Sequence, residues 1–315
     1  MGAKLLVTGG TGLLGSALQK ICPQAVFLGR RDGDLTEPRE VGRLFERHRP
    51  ERVLHLAAAV GGVKKNAEQN SDLFRENVLI NTNVLHAARE AGVSRLISLL
   101  SSCVFHLRPD RPSTEEDLHE GLPFEGNLGY GYAKRMLDIQ TKLLHEQNRA
   151  QFSTFTPVTM YGPHDNWDLE AGHVASALIH KCFLAKREGK PFEVWGTGEA
   201  VRQFVFVEDV ARLLLQALDC FGGPETVIVA PDSGVSIADL AKLTARLMKF
   251  EGPIIFNKNM PEGEKVKVIK SRAFERLFPG FTFTSLEEGL RMTIEWFCVH
   301  YEDELIKRRT HSVSF

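Results

Sequence analysis

The stretch Thr8-Gly9-Gly10-Thr11-Gly12-Leu13-Leu14-Gly15 lies between the short apolar run Lys4–Thr8 and a helix-length segment, Leu13–Ile21. Glycines in this strand–turn–helix context permit a tight turn, close approach of the backbone to a pyrophosphate, and close packing of the helix on the strand. The free N–H groups at the start of the helix attract the anion. A glycine-rich turn alone often serves only backbone geometry, so the flanking strand and helix carry the prediction of a dinucleotide-binding loop. The candidate cofactor-binding residues here are Gly9, Gly10, Thr11, Gly12, Leu13, Leu14 and Gly15.

Apolar runs alternate with amphipathic segments through the first half of the chain. Continuous apolar strands that alternate with helices are typical of a parallel sheet covered on both faces, so we expect an α/β fold. Beyond residue 157 Pro and Gly interrupt shorter elements, as they do where loops build a ligand cleft. The predicted strands are Lys4–Thr8, Ala25–Leu28, Arg52–Leu56, Arg95–Leu99 and Phe152–Thr156, and the predicted helices are Leu13–Ile21, Pro38–His48, Asn66–Ala91 and Tyr130–Asn148.

The composition describes an ordinary globular protein of 315 residues, 43% of them hydrophobic. A net charge of -1 gives no global electrostatic reason to expect binding to nucleic acid or to an anionic membrane. The five cysteines are scattered and form no CxxC pair, which favours a reducing compartment over a disulfide framework. With no signal-peptide pattern and no long apolar stretch, we expect a soluble, cytoplasmic protein.

The residues after the second predicted strand indicate which dinucleotide is bound. Leu28 is followed by Gly29-Arg30-Arg31, where an acidic residue would bind the ribose 2′-hydroxyl of NAD. Arginines instead attract a 2′-phosphate, so NADP(H) is the predicted cofactor, with Arg30 and Arg31 as its ligands. The alternative is that both arginines are simply surface residues. Asp34 and Leu35, just beyond, and Leu56, Ala57 and Ala58, at the end of the third strand, are further cofactor-binding candidates.

Three side chains downstream have the chemistry to reduce a ketone. Tyr130 and Lys134 are four residues apart, so on a helix they share one face. A phenol has a pKa of ~10, and a neighbouring ammonium is expected to bring proton donation closer to neutral pH. Ser101, at the end of the fourth strand, can donate a hydrogen bond to a carbonyl oxygen on which charge develops. An ordinary helix pair is the alternative for Tyr130 and Lys134, and Tyr132 lies off their common face.

With these motifs the chain resembles the extended short-chain dehydrogenase/reductases over nearly its whole length, and among them the GDP-L-fucose synthases. The resemblance implies a Rossmann-type doubly wound parallel sheet with a smaller C-terminal α/β substrate domain. Residues 1–156, with 203–220 returning to them, would form the NADP-binding domain, and residues 157–202 and 221–315 the substrate-binding domain. The motifs that carry it are Ala58-Ala59-Val60-Gly61-Gly62, Ser101-Ser102-Cys103, Gly129–Lys134, Tyr161-Gly162-Pro163-His164-Asp165-Asn166, His173-Val174 and Trp195-Gly196-Thr197-Gly198.

The same resemblance implies an activity: epimerisation at C3 and C5 of GDP-4-dehydro-6-deoxy-D-mannose and reduction at C4, which yields GDP-L-fucose. It makes Cys103 the base and His173 the acid of the epimerisation. It also implies a homodimer paired through the helices Asn66–Ala91 and Tyr130–Asn148. The further cofactor-binding candidates are Leu99, Lys134, Pro157, Thr159, Met160 and His173, and the substrate-binding candidates are Lys181, Trp195, Arg202, Glu262 and Lys267.

The chain departs from the family pattern at several positions around the expected substrate, and these leave two alternatives open. One is an epimerase or 4-reductase of another nucleotide-linked 4-keto sugar, such as a GDP-heptose. The other is a non-catalytic NADP-binding regulator. No cluster of His, Asp and Glu has ligand spacing, so a metal site is not expected. The departures are His106, Thr159, Ala200-Val201 and Val266.

Overall fold

The structure is a computed structural model that describes residues 4–61, 68–106, 108, 110–169, 171–260 and 262–311. Gly62 of the family motif and Asn66, where the third helix is predicted to begin, lie outside the described residues. The strands are β1 Leu5–Thr8, β2 Val26–Leu28, β3 Arg52–His55, β4 Arg95–Leu99, β5 Gln151–Pro157, β6 Thr159–Tyr161, β7 Phe192–Trp195, β8 Val201–Arg202, β9 Phe204–Phe206, β10 Thr226–Val229, β11 Val235–Ser236, β12 Ile254–Asn257 and β13 Val266–Lys267.

The helices follow the predicted pattern closely in the first half of the chain, and two of them have the predicted bounds. In sequence order they are α1 Leu13–Ile21, α2 Pro38–His48, α3 Asn70–Glu90, α4 Leu128–Asn148, α5 Val174–Glu188, α6 Val207–Cys220, α7 Ile237–Leu247, α8 Phe274–Leu277 and α9 Leu286–His311. The fourth begins two residues before Tyr130, because a 3-10 turn over Glu125–Asn127 leads directly into it. Tyr130 and Lys134 therefore lie within its first two turns, on one helix face.

A six-stranded sheet in the order β10-β5-β4-β3-β1-β2 forms the centre of the molecule, and all of its pairings are parallel. The register places Thr8 beside His55, and His55 beside Ser98, so the strands end at a common edge. The strands are buried along their length, as the continuous apolar runs predicted. The expected α/β, Rossmann-type doubly wound sheet is confirmed.

Two hydrophobic cores fill the molecule. The first surrounds the six-stranded sheet and includes Leu54, Val210 and Phe278. The second is built mainly from α5, α7 and α9 and includes Trp167, Leu240 and Phe297. Strand β10, which lies beyond the predicted return segment 203–220, contributes Val227, Ile228 and Val229 to the first core and pairs with β5. The division into two domains stays a prediction.

Three small sheets carry the loops of the second half. Strand β8 pairs with β11 and β13, and this places Arg202 opposite Lys267 in the ladder. Strand β7 pairs with β12, and β6 pairs with β9. Trp195 is the last residue of β7, and Arg202 is the last residue of β8. Across the described ranges, no helix combines the length and the apolar character needed to span a membrane.

Candidate active site

The candidate cofactor site lies along the carboxyl ends of the parallel strands. The glycine-rich loop follows β1, Arg30 and Arg31 follow β2, and Leu56 to Ala58 follow β3. Leu99 ends β4 and Pro157 ends β5, so these candidates share the edge as well. In open α/β sheets this edge is where ligands bind, since the strand ends and the helix N-termini meet there. Thr159 and Met160 lie just beyond, in β6.

The glycines of the loop are required by close contacts. Gly9 has φ +70°, and a Cβ on it would approach the Ala57 backbone nitrogen to 2.7 Å. A Cβ on Gly10 would meet Cβ of Phe27 at 2.7 Å, and one on Gly15 would meet the carbonyl oxygen of Gly10 at 2.4 Å. The loop can therefore pass between β2 and β3 and let α1 lie close against it only with glycine at these positions.

The start of α1 fits a bound pyrophosphate. Gly12 is the N-cap residue, and neither a side-chain cap nor an acidic residue occupies the first turn. The first N–H groups of a nine-residue helix are thus available to an anion, whose charge the helix dipole favours. The side chain of Leu14 packs in the first core, so this residue can offer only its backbone.

The residues after β2 form a short turn with the arginines exposed. Asp32 accepts the Gly29 N–H at 2.7 Å, so the acidic residue of this segment holds the turn itself. Arg30 and Arg31 are exposed and lie next to each other. Asp34 accepts the N–H and the hydroxyl of Thr36, both at 2.8 Å, and these two contacts, with a smaller contribution from Arg30, lower the pKa of Asp34. The cationic end of β2 fits a 2′-phosphate.

Cys103, Tyr130 and Lys134 form one cluster beside the strand ends, in which Cys103 and Lys134 are buried and Tyr130 is half-buried. The Lys134 Nζ lies 5.7 Å from the centre of the Tyr130 ring and donates a hydrogen bond of 2.8 Å to the Leu99 carbonyl. Burial lowers the pKa of Lys134 to about 8, and the negative charge of a Cys103 thiolate acts in the opposite direction. The same charge acts on Tyr130, so the thiol, the phenol and the ammonium are close enough to interact.

The expected lowering of the Tyr130 pKa by Lys134 is not found. Burial raises the pKa of the phenol, and the Cys103 charge raises it further. The physical reason is that the phenolate would lie in a site from which water is largely excluded, whereas the Lys134 ammonium is itself hydrogen-bonded to a carbonyl. Tyr130 is consequently held as a protonated phenol, the form that donates a proton.

Ser101 and Cys103 are arranged by a 3-10 turn that directly follows β4. The Ser101 Oγ accepts the Cys103 N–H at 3.4 Å as the cap of this turn, and the Cys103 side chain is buried. Arg135, which sequence reasoning did not select, donates to the Val104 carbonyl at 2.9 and 2.6 Å and also to the carbonyls of Gly121 and Glu120. The sequence signal that could have identified Arg135 is its position directly after Lys134. Arg135 joins the turn to α4, and so holds Cys103 against the Tyr130 face.

His173 lies outside this cluster, at the start of α5, where it is the N-cap residue. Its Nδ1 lies 3.0 Å from Oδ1 of Asp165, a buried carboxylate of the Tyr161–Asn166 motif to which the sequence analysis assigned no role. The hydrogen bond to Asp165, and then its charge, raise the pKa of His173 against the effect of burial. Among the hydrogen bonds and ion pairs of the described residues, none joins His173 directly to Tyr130 or Ser101.

Two of the five substrate-binding candidates are in direct contact. The Lys181 Nζ lies 3.8 Å from the centre of the Trp195 ring, a cation–π arrangement between α5 and the end of β7. Burial lowers the pKa of Lys181 to about 8, while the charge of Glu193 acts to raise it. The pair offers a flat aromatic face and a cation together.

The other three candidates surround the turn after β7. Arg202 and Lys267 are partners in the β8–β13 ladder, and the charges of Glu264 and Glu262 both act on Arg202. Glu262 accepts the Thr197 hydroxyl at 2.5 Å and N–H groups of the turn, so its carboxylate holds the Gly196–Gly198 turn here. A Cβ on Gly196 would lie 2.9 Å from the Glu262 side chain. The five candidates thus belong to one region, in which the Glu262 carboxylate is hydrogen-bonded to the turn after β7.

Comparisons with known proteins agree with this geometry. Residues 5–230 match the model of the NAD dependent epimerase/dehydratase family. The chain is 35% identical to the GDP-L-fucose synthase of Dictyostelium discoideum, over 95% of this chain and 96% of that protein. It is 34% identical to the probable GDP-L-fucose synthase of Drosophila melanogaster, over 95% and 98%.

A solved structure has the same architecture. It is a GDP-L-fucose synthetase from Naegleria fowleri bound to NADP, which superposes with a TM-score of 0.90 at 37% identity and covers 95% of this chain and 94% of that one. The family match spans the six-stranded sheet and the Ser101, Tyr130 and Lys134 positions. This chain belongs to the NAD dependent epimerase/dehydratase family.

Proposed function

We propose that the protein is an NADPH-dependent GDP-L-fucose synthase. It converts GDP-4-dehydro-6-deoxy-D-mannose to GDP-L-fucose by epimerisation at C3 and C5 and reduction of the C4 ketone. The observation that carries this proposal is the cluster of Cys103, Tyr130 and Lys134 beside the strand ends, in a chain similar throughout to proteins of that name. A heptose-specific relative and a binding-only regulator have no comparable observation in their favour.

NADP(H) is the cofactor that the residues fit. Its pyrophosphate would lie at the uncapped start of α1, beside Gly10 and Gly12, and its 2′-phosphate beside Arg30 and Arg31. When bound, the dihydronicotinamide supplies a hydride to the substrate ketone. The protein residues position the two reactants and manage the proton that accompanies that hydride.

The reduction step requires a proton donor and a stabiliser of negative charge on the C4 oxygen. Tyr130 is the donor, since burial keeps its phenol protonated, and Ser101 hydrogen-bonds the same oxygen. Lys134 would hold the nicotinamide ribose of a bound cofactor, and its positive charge would stabilise the Tyr130 phenolate as the proton leaves. Its pKa of about 8 means that it can exchange a proton near neutral pH.

The epimerisation step uses the same oxygen binding without the hydride. Cys103 removes a proton from the carbon beside the ketone, and Ser101 and Tyr130 stabilise the resulting enolate. His173 returns a proton to the opposite face, which inverts the centre. Cys103 thus gains one proton and His173 loses one. Proton exchange with solvent then returns both residues to their starting protonation states.

The region around Trp195 fits the nucleotide diphosphate of the substrate. Arg202 and Lys267 lie side by side and offer cations to phosphate oxygens, while Trp195 and Lys181 offer an aromatic face and a further cation. Glu262 would complete the site in one of two ways. It would either give up its hydrogen bonds to the Gly196–Gly198 turn, or keep them and hold that loop near the nucleotide. The second unit, residues 157–202 and 221–315, would then bind the substrate, and residues 1–156 with 203–220 the cofactor.

A homodimer is part of the proposal. Helices α3 and α4 pack on each other, and Gln140 on α4 donates to Thr82 on α3 at 2.9 Å. The apolar side chains of Phe74, Ile139 and Leu143 on these two helices are 40%, 37% and 46% exposed, more than such residues usually are. Pairing the same two helices of a second copy would bury them. All five cysteines are free, which supports a cytoplasmic location.

The first experiment incubates the protein with GDP-4-dehydro-6-deoxymannose and NADPH in deuterated water. We expect stoichiometric loss of NADPH and GDP-L-fucose with deuterium at C3 and C5, read by mass spectrometry and NMR. Cys103→Ser should lose most deuterium uptake, whereas Cys220→Ser, a change at an exposed cysteine on α6, should keep it. NADPH loss without deuterium uptake would reduce the function to that of a simple ketoreductase. If neither NADPH loss nor deuterium uptake occurs, this sugar is rejected as the substrate.

A further inference from the structure

The carboxylate of Asp165 is buried next to the His173 ring. Its side chain is 2% exposed, and its Oδ1 lies 3.0 Å from the His173 Nδ1 and also accepts the Asn166 N–H at 2.7 Å. Its Oδ2 is buried and has no hydrogen-bond partner. Burying a carboxylate with one oxygen unpaired is costly, so the contact with His173 needs a functional reason.

The location of His173 supplies part of that reason. It caps the N-terminus of α5, where the helix dipole disfavours a positive charge, and a lone imidazole there would tend to be neutral. The hydrogen bond from Nδ1 to Asp165, together with the carboxylate charge, reverses this and raises the pKa of His173. The ring itself is 57% exposed, so with Nδ1 engaged, Nε2 remains for exchange with a substrate.

The loop that carries Asp165 is fixed from two sides. The Ser176 hydroxyl lies 2.9 Å from both the Asn166 and the His173 carbonyl oxygens, which joins the loop to the first turn of α5. His164 has φ +66°, and its ring lies 4.5 Å from that of Trp296 on α9. A left-handed conformation at a residue other than glycine persists only where its surroundings hold it. The Asp165–His173 geometry is therefore set by the fold.

Other titratable groups near this loop have separate partners or lie further along. Asp168 accepts the Ala171 N–H at 2.8 Å, and His300 stacks on Trp296 at 4.4 Å between ring centres. On α5 itself, His180 contacts the Trp167 carbonyl, and Lys181, two turns from His173, lies over Trp195. Among the described residues, Asp165 is the charged group that the hydrogen bonds and ion pairs place in contact with the imidazole.

We propose that Asp165 is a positioning residue for His173: it holds the proton on Nδ1, fixes the ring, and keeps the imidazole charged so that Nε2–H faces the substrate as the acid. In the step, the Nε2–H bond breaks and a C–H bond forms on the enolate carbon. The neutral imidazole keeps its Nδ1–H on Asp165 and regains a proton from water, so no oxidant or other reactant is needed. This inference rests on the proposed function, since it assigns the acid's partner in the epimerisation.

The test compares Asp165→Asn with Asp168→Asn, which removes a carboxylate from the same loop without touching His173. Deuterium uptake from deuterated water into the 4-keto sugar is measured from pH 6 to pH 9 in the absence of net reduction. We expect Asp165→Asn to lower uptake by about tenfold or more near neutral pH and to move the alkaline limb of the profile down by about one pH unit. Asp168→Asn should keep the wild-type limb, and NADPH affinity should be unchanged in both.

An NMR titration of the His173 ring gives a readout that needs no turnover. The pKa of His173 should lie above its ordinary value in the wild type and in Asp168→Asn, and should fall in Asp165→Asn. Equal titration in all three proteins, or an unshifted limb with wild-type uptake in Asp165→Asn, would overturn the inference. If the wild type shows no uptake, the proposed function fails while the titration still decides the role of Asp165. If Asp165→Asn does not fold, a wild-type His173 pKa at or below its ordinary value is sufficient to reject the pairing.

Discussion

At the scale of single residues, the candidate centre is governed by desolvation. Lys134 is buried, and its ammonium is hydrogen-bonded to the Leu99 carbonyl, while burial raises the pKa of the neighbouring Tyr130. A buried lysine loses its proton more easily and a buried phenol keeps it longer. Before substrate arrives, the pair therefore holds a phenol that is ready to give a proton and a lysine that can replace it.

Replacing Tyr130 by Phe tests this assignment. The change removes the donor hydroxyl and leaves the ring, and general acid catalysis typically contributes 10²–10⁴-fold, so C4 reduction should fall by about 100-fold or more. Tyr132→Phe is the matched control, because Tyr132 is on the same helix but lies beside Arg135, 5.8 Å from ring centre to guanidinium carbon. NADPH oxidation measured for both variants decides the matter. Equal rates of NADPH oxidation in Tyr130→Phe and Tyr132→Phe would mean that a group other than Tyr130 donates the proton.

Residue spacing alone could predict the Tyr130–Lys134 face, because four residues make about one helical turn. It could not predict Asp165 as the partner of His173, eight residues away. The intervening loop has no regular period, and its course depends on a left-handed His164 whose ring contacts Trp296 on α9, more than a hundred residues downstream. The same applies to Arg135, whose carbonyl partners Val104, Glu120 and Gly121 lie 14 to 31 residues away in the chain.

At the scale of elements, the loop between β1 and α1 shows why a motif position requires glycine. Gly9 and Gly92 both have positive φ, +70° and +68°, but only the former is crowded: a Cβ there would meet the backbone of Leu56 and Ala57, just after β3, and one on Gly92 would meet nothing within 4 Å. The two glycines are therefore required for different reasons, one for contact and conformation together and the other for conformation alone.

Gly9→Ala and Gly92→Ala separate these reasons. Gly92→Ala should cost only the left-handed strain, about 1–2 kcal/mol of unfolding free energy. Gly9→Ala should cost about 2–5 kcal/mol, since overpacking against Ala57 is added, and it should weaken NADPH binding. Urea unfolding and NADPH titration of the two variants measure both effects. An unaltered NADPH affinity in Gly9→Ala would separate the loop from cofactor binding.

At the scale of the whole molecule, one buried carboxylate joins distant parts of the chain. Asp138 on α4 accepts hydrogen bonds from Thr154 of β5 and Thr226 of β10, and lies 2.7 Å from both His119 and Lys142. Burial acts to raise the pKa of Asp138, but the contacts with His119, Lys142 and Thr226 outweigh it and lower the pKa to about 2. The edge strand β10 is thereby tied to the helix that carries Tyr130.

Asp138→Asn should reduce the free energy of unfolding by about 1.5–3 kcal/mol at neutral pH, because it removes the charge that accepts hydrogen bonds from the buried hydroxyls of Thr154 and Thr226 and pairs with the half-exposed His119 and Lys142. Since the folded pKa lies below the unfolded value of ~3.9, the contribution is complete well above pH 4 and is lost as the pH falls toward 2. Unfolding curves at pH 7 and pH 3 should thus differ less between wild type and variant at the lower pH. Asp219→Asn, whose ion pair with Arg52 is 72% exposed on the aspartate side, should change stability by less than about 1 kcal/mol. A pH-independent difference for Asp138→Asn would contradict the charge argument.

The proposed dimer is also a property of the whole molecule. Leu143→Glu places a charge among the exposed apolar side chains of α3 and α4, so it should shift a dimer toward monomer without unfolding it. Light scattering after gel filtration gives the mass directly. Val299→Glu is the control, since Val299 is exposed on α9. A monomeric wild type, or a dimer that survives Leu143→Glu, would exclude this surface as the interface.

The amino-acid sequence by itself determined the parallel sheet, the bounds of α1 and α2, the glycine loop and the Tyr130 face, since each depends on local periodicity or on contacts between near neighbours. The tertiary structure decided the rest. It brought β10 into the central sheet, closed Glu262 onto the Gly196–Gly198 turn, raised the pKa of Tyr130, and placed Asp165 behind His173. These features depend on desolvation and on contacts between segments far apart in the chain, which a local pattern does not encode.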